Sequence, residues 1–116
     1  MQRDPRAFLW DVQEAALSIQ AFTADLDATA YAVNAMAQAA VERKFEIIGE
    51  ALNQLAKLDS ALAARIHQLP QIVAFRNLLI HGYATVKVST VWNVVQTSLP
   101  PLLLQVQALL NELGPA

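Results

Sequence analysis

The chain contains no cysteine, which excludes a disulfide framework, a zinc–thiolate centre and thiol redox chemistry. Charge is scarce too: 16 % of the residues are charged, against roughly 25 % in an average soluble domain. A surface so poor in charge is expected to be covered in part by a second copy or a partner. Basic residues are not in excess. The net charge of −2 at pH 7 argues against broad electrostatic coating of nucleic acid, although a small phosphate site in a local pocket stays compatible with it. Three glycines and five prolines do not suit a disordered or collagen-like chain. The start, MQRDPRAFLW, lacks an apolar run leading to a small-residue cleavage site, so no signal peptide is expected. From Val88 to Asn111 no residue is charged, a length that could span a bilayer. Ser89, Thr90, Asn93, Gln96, Gln105 and Gln107 recur through that stretch and Pro100-Pro101 interrupts it. It is therefore expected to pack against protein, not lipid.

What is present is helical spacing. The 116 residues, 55 % of them hydrophobic, fit one compact domain spanning 1–116. Asp4-Pro5 reads as an N-cap with proline in the first turn, and Phe8, Val12, Ala15, Ile19 and Phe22 step by three and four behind it. That predicts a helix over 5–23, then a connector over 24–29. A second helix is expected over 30–57, with Val33, Met36, Ala37, Ala40, Val41, Phe45, Ile48, Leu52 and Leu55 as its buried stripe. Asp59 can cap a short helix through Gln68, and Pro70 fits the first turn of a helix ending near Gly82. Ser98 before Leu99-Pro100-Pro101 divides the last region into 88–97 and 99–112. No stretch alternates with period two between turn dipeptides. The fold class is thus all-α, an up-and-down bundle of four to six helices.

Chemistry enters this pattern at AFRNLLIHGYATV, residues 74–86. The apolar Phe75, Leu78, Leu79 and Ile80 are expected to hold the helix in the bundle, yet Arg76, Asn77, His81 and Tyr83 stand among them. Arg presents a planar fork to two phosphate oxygens and stays charged at any working pH. His titrates near neutrality and can exchange a proton with a hydroxyl or a leaving oxygen. Asn can donate to a phosphoryl oxygen or fix the imidazole tautomer. These types suit a phosphodiester, and in RNA the 2′-hydroxyl is an internal nucleophile, so no metal is strictly required. Helix-dipole and capping chemistry would also favour Arg and His near a helix end followed by Gly82, so residue types alone leave both readings open. On an ideal helix Arg76 and His81 differ by about 140°. They converge on one cleft only if the helix bends early or a second copy supplies the other half.

RNLLIHGY resembles the Arg-x4-His-x-Tyr signature of the HEPN superfamily, specifically its HepT-like toxins, formerly a domain of unknown function. FEIIGEAL, residues 45–52, is similar to that family's second landmark at the expected distance upstream. RDPRAFLWDV and VWNVVQTSLPPLL also resemble family positions, so the likeness covers essentially the whole chain. The resemblance implies a helical, metal-independent endoribonuclease acting as a homodimer, the motifs of both subunits facing a shared cleft. Carried over by position, Arg76 and His81 would be catalytic and Asn77 the polar residue after the arginine. The implied partner is a minimal (MNT-type) nucleotidyltransferase antitoxin that transfers AMP from ATP onto Tyr83. RNA is the implied substrate, with no DNA or membrane partner, no cofactor or metal, and a cytoplasmic location.

Other residues offer less. Glu42, Glu46 and Glu50 form an acidic row at i, i+4 and i+8, but the Glu-x-x-His element of helical di-iron sites is missing and Arg43 and Lys44 interleave. An ion-paired or solvated face is expected, with Glu50 in a supporting role, reaching toward Arg76. His67 suits capping or the surface, and Trp10 and Trp92 suit core or interface anchoring. The main alternative to a nuclease is a non-catalytic helical binding subunit of a nucleotidyltransferase complex, and a plainer one is a structural oligomer.

Overall fold

A computed structural model of the chain describes residues 3–114, with the backbone alone at Tyr83. Helix α1 spans Pro5–Thr23, as its spacing predicts. The Asp4 carboxylate accepts the Arg6 N–H at 2.9 Å, and Pro5 occupies a first-turn site that needs no donor. Leu9, Val12, Ala15, Ala16 and Ile19 are buried, whereas Phe22 is 42 % exposed and so leaves the expected stripe.

The expected second helix is in fact two. A short helix α2, Ala28–Ala32, is capped by Asp27, and α3 runs Ala35–Leu58. The break has a local cause. Asn34 starts a new helix by accepting the Ala37 N–H at 2.9 Å, and the Gln38 amide donates to the Tyr31 and Ala32 carbonyls that end α2. The break also shifts the register, so Val33 and Met36, expected in the core, are 84 % and 83 % exposed. Tyr31 turns inward instead and packs on Trp92 at a centroid distance of 5.1 Å. From Ala37 onward the expected stripe of Val41, Phe45, Ile48, Leu52 and Leu55 is buried, while Ala40 is only partly so.

Asp59 ends α3 and caps α4, Ser60–Ala63, through the Leu62 N–H. This helix stops five residues short of the expected Gln68. The chain beyond it is tied down by side chains of the last helix: Arg65 forms a two-pronged pair with Glu112, and the His67 N–H donates to the Gln105 amide oxygen at 2.7 Å. Helices α5 (Leu69–His81), α6 (Val88–Thr97) and α7 (Leu99–Leu113) follow, with a 3₁₀ turn at Tyr83–Thr85.

The result is all-α, with no strand among the described residues. Five helices of ten residues or more form the bundle, and α2 and α4 bridge them. Helix α1 packs along α3 and α7, and α3 packs along α5. A 24-residue α3 is about 36 Å long at 1.5 Å per residue, which accounts for most of the 41 Å longest dimension. No described helix is long and apolar enough to cross a membrane.

Candidate active site

Helix α5 is held to α3 by Ile72, Phe75 and Leu79, spaced three and four apart and all buried. Phe75 meets Phe45 of α3 edge-to-face, with centroids 5.2 Å apart and ring planes at 88°, a favoured aromatic geometry. Leu78 and Ile80, expected to share that anchoring, are 53 % and 40 % exposed. Only one side of α5 is core. The other presents Ala74, Asn77, Leu78 and His81 to solvent.

Arg76 lies at the border of these two sides. Its aliphatic stem crosses α3 at Gly49, where a side chain would leave no room: an added Cβ would sit 2.3 Å from Arg76 Cβ and 2.5 Å from Cγ. Beyond this notch the guanidinium is gripped from two directions. Nη2 donates to Glu50 Oε2 in an ion pair, and Nη1 donates to Asn77 Oδ1 at 2.7 Å. Glu50 is itself steadied by Gln54, whose amide donates to Oε1 at 2.9 Å. All five arginines are ion-paired, to Asp11, Asp4, Glu46, Glu112 and Glu50, but Arg76 has the lowest side-chain exposure at 17 %. Its charge is thus the least screened by water, and its Nε–H is buried without a partner.

Helix α5 continues unbroken through His81, so the chain does not bend early to bring the imidazole toward Arg76. His81 stands exposed on the Asn77 side, one turn beyond it. Asn77 therefore bridges the two, touching Arg76 while sharing a face with His81. No side-chain hydrogen bond or ion pair joins the His81 imidazole to another residue among those described. Gly82 closes the helix at φ −119°, its N–H donating to Leu78 O, so the end is made without a left-handed residue. Tyr83 opens the 3₁₀ turn that follows, and its side chain lies outside the described residues.

The acidic row resolves into separate partnerships. Glu46 pairs with Arg43, and Glu50 with Arg76. Glu42 is part-buried, and that burial followed by the neighbouring Glu46 raises its proton affinity. No three His, Cys, Asp or Glu side chains among the described residues converge as a metal site. Trp10 is 55 % exposed and forms no part of the core of this chain, and Trp92 is half-buried on Tyr31. Gly49 and Gln54 belong to the Arg76 environment, though only their place in the FEIIGEAL neighbourhood marked them. The available signal was a glycine inside a helix-forming run, which costs roughly 1 kcal/mol against alanine and usually reflects close packing.

The fold defines the class, an all-helical bundle, and it carries a braced arginine with an exposed amide and imidazole on the same helix. A family model described as "Ribonuclease HepT-like" matches residues 12–109. The chain belongs to this family of ribonucleases, and it is an endoribonuclease. It is 32 % identical over 108 residues to "Putative RNase MJ1380" of Methanocaldococcus jannaschii, covering 91 % of this chain and 96 % of that one. It is also 31 % identical over 102 residues to "Probable ribonuclease HepT" of Thermococcus cleftensis, covering 88 % and 92 %. "Putative RNase MJ0125" of M. jannaschii is 29 % identical over 114 residues, covering 97 % and 96 %. No solved structure matches the chain significantly.

Proposed function

We propose that this chain, as one HEPN-like unit, is the toxin of a toxin–antitoxin pair, a metal-independent endoribonuclease with Arg76, Asn77 and His81 in its active site. The observation that carries the reading is the bracing of Arg76 by Glu50, Asn77 and the Gly49 notch. A guanidinium held in one orientation is ready to take two phosphate oxygens without first losing side-chain freedom. His81 takes the proton from the RNA 2′-hydroxyl or delivers one to the departing 5′-oxygen. The 2′-oxygen attacks phosphorus, the P–O5′ bond breaks, and the products are a 2′,3′-cyclic phosphate and a free 5′-hydroxyl. Asn77, in contact with Arg76 and on the His81 face, supports both.

One helix cannot aim Arg76 and His81 in one direction at about 140° apart. We therefore assign the cleft to a homodimer in which each α5 faces its counterpart. The exposed Leu78 and Ile80 of α5 support this, since apolar side chains left uncovered beside the motif suit a buried interface. The partner is an MNT-type nucleotidyltransferase antitoxin, which joins the α-phosphorus of ATP to the Tyr83 phenolic oxygen and releases pyrophosphate. The added phosphate and base would compete for the site of the RNA phosphate. An RNA substrate suits a cytoplasmic location.

Purified protein is expected to cleave RNA in EDTA, and His81→Ala to abolish this. Equal cleavage by the mutant would sink the assignment. The alternative of a non-catalytic subunit draws on the net charge of −2 and on every arginine being ion-paired. No cleavage by the wild type, together with tight binding to the nucleotidyltransferase, would favour it.

A further inference from the structure

A groove between α1 and α3 has Glu50 in its lining, the residue that also pairs with Arg76. Its volume is about 210 Å³. The α3 residues lining it fall at steps of three and four, so one face of the helix forms its wall. Phe8, Ile47 and Ala51 supply its apolar lining, and Glu46, Glu50 and Gln54 supply polar atoms beside the ion-paired Asp11 and Arg43. The Phe8 ring already receives a planar group: the Arg3 guanidinium lies over it, 4.7 Å from the centroid. Arg3 is itself half exposed and tied to Asp11 at Nη1, an arrangement that a stacking ligand can displace. Glu50 is the common wall, with one carboxylate oxygen on Arg76 and the other on Gln54. Groove and guanidinium thus share one carboxylate, that of Glu50.

We infer that this groove holds the base of the nucleotide flanking the scissile phosphate, and that Glu46 selects guanine there. The inference rests on the proposed placement of the phosphate at Arg76. Single-stranded bases are read by stacking on aromatic rings and by hydrogen bonds to their exposed edges. A carboxylate only accepts, so it matches an edge with adjacent donors. Guanine offers N1–H and N2–H side by side. Adenine and cytosine offer one amino group beside an acceptor, and the uracil N–H lies between two carbonyls that a carboxylate repels. Glu46 has the capacity: among the described residues it pairs with Arg43 alone, at a long 3.4 Å and through Oε1. Phe8 contributes stacking to any base, so it sets affinity and Glu46 sets preference.

The four nucleoside 3′-monophosphates, titrated calorimetrically into His81→Ala protein, test this without turnover. Guanosine 3′-monophosphate is expected to bind about tenfold more tightly than the other three, at the low end of what one bidentate pair discriminates. Adding Glu46→Gln should remove that preference, and adding Phe8→Leu, which keeps that lining apolar, should weaken all four alike. In parallel, wild-type cleavage of a random-sequence RNA should map to bonds flanked by guanine. Equal binding of the four nucleotides, or a preference that survives Glu46→Gln, overturns the subsite. Wild-type cleavage by His81→Ala overturns the catalytic reading instead, and the titration still reports on the groove by itself.

Discussion

Gly49→Ala is the smallest change that bears on the whole arrangement. Gly49 has helical backbone angles, so its role is spatial and not conformational. The new methyl carbon would meet Arg76 Cβ at 2.3 Å and Cγ at 2.5 Å. Carbon atoms pack at about 3.5–4.0 Å, so α3 and α5 would have to part by roughly 1.2 Å or more. Rotamer change cannot relieve the contact, because Cβ is fixed by the α5 backbone. Overpacking of this kind costs about 1–3 kcal/mol, offset by roughly 0.8–1.0 kcal/mol of helix propensity gained on replacing glycine. The net loss is up to about 2 kcal/mol, or a fall in Tm of up to roughly 10 °C for a chain of this size. The effect on cleavage should be larger, since displacing a positioning group by about 1 Å can cost around a hundredfold in rate. Thermal unfolding followed by circular dichroism, with single-turnover cleavage of a labelled RNA well below the lowered Tm, separates the two effects. A variant with the Tm and the cleavage rate of the wild type would show that the helices are not pinned at this notch.

Glu50→Gln should behave in the opposite proportion. Glu50 is 49 % exposed, so losing its ion pair should cost less than about 1 kcal/mol, while cleavage drops because Asn77 alone still orients Arg76. Cleavage equal to wild type would remove Glu50 from the site. Tyr31→Phe should leave stability unchanged or raise it by up to about 1 kcal/mol, since the buried phenol oxygen has no partner to lose; a clear fall in Tm would reveal one. The same phenol predicts alkaline sensitivity. Burial, helped by the nearby Glu42 charge, pushes its pKa from 10.0 to about 12. The neutral form is favoured in the folded state, so its stabilising contribution is complete below pH 10.0 and lost as pH rises through about 12. Tyr31→Phe should therefore unfold at higher pH than wild type, and ultraviolet titration of the wild type should show one phenol ionising only as the protein unfolds.

The local chemistry of the chain wrote most of the helices directly. Asp4-Pro5, Asp59 and the proline-led starts at Pro70 and Pro100 are cap signals read from neighbours in sequence, and the bounds of α1 and α6 follow from them and from the apolar spacing. The motif RNLLIHGY and its residue types were likewise visible, because residue types and intervals survive in one dimension. What failed was whatever depended on which side of a helix meets a neighbour. Val33 and Met36 fit the buried stripe of one long helix. Asn34 and Gln38 instead end one helix and begin another, and the register change carries both residues outward. Leu78 and Ile80 are as apolar as Leu79, and only the direction from which α3 approaches decides that Leu79 is covered. The same approach turns Gly49 from a weak spot in a helix into the notch that seats Arg76, and brings Glu50 and Gln54 into line behind its guanidinium. By itself the sequence determined an all-helical chain with an Arg–Asn–His motif on one helix. The tertiary structure alone decided that Arg76 is braced against α3 while His81 faces outward, because that depends on the separation and rotation of two helices, which no single helix contains.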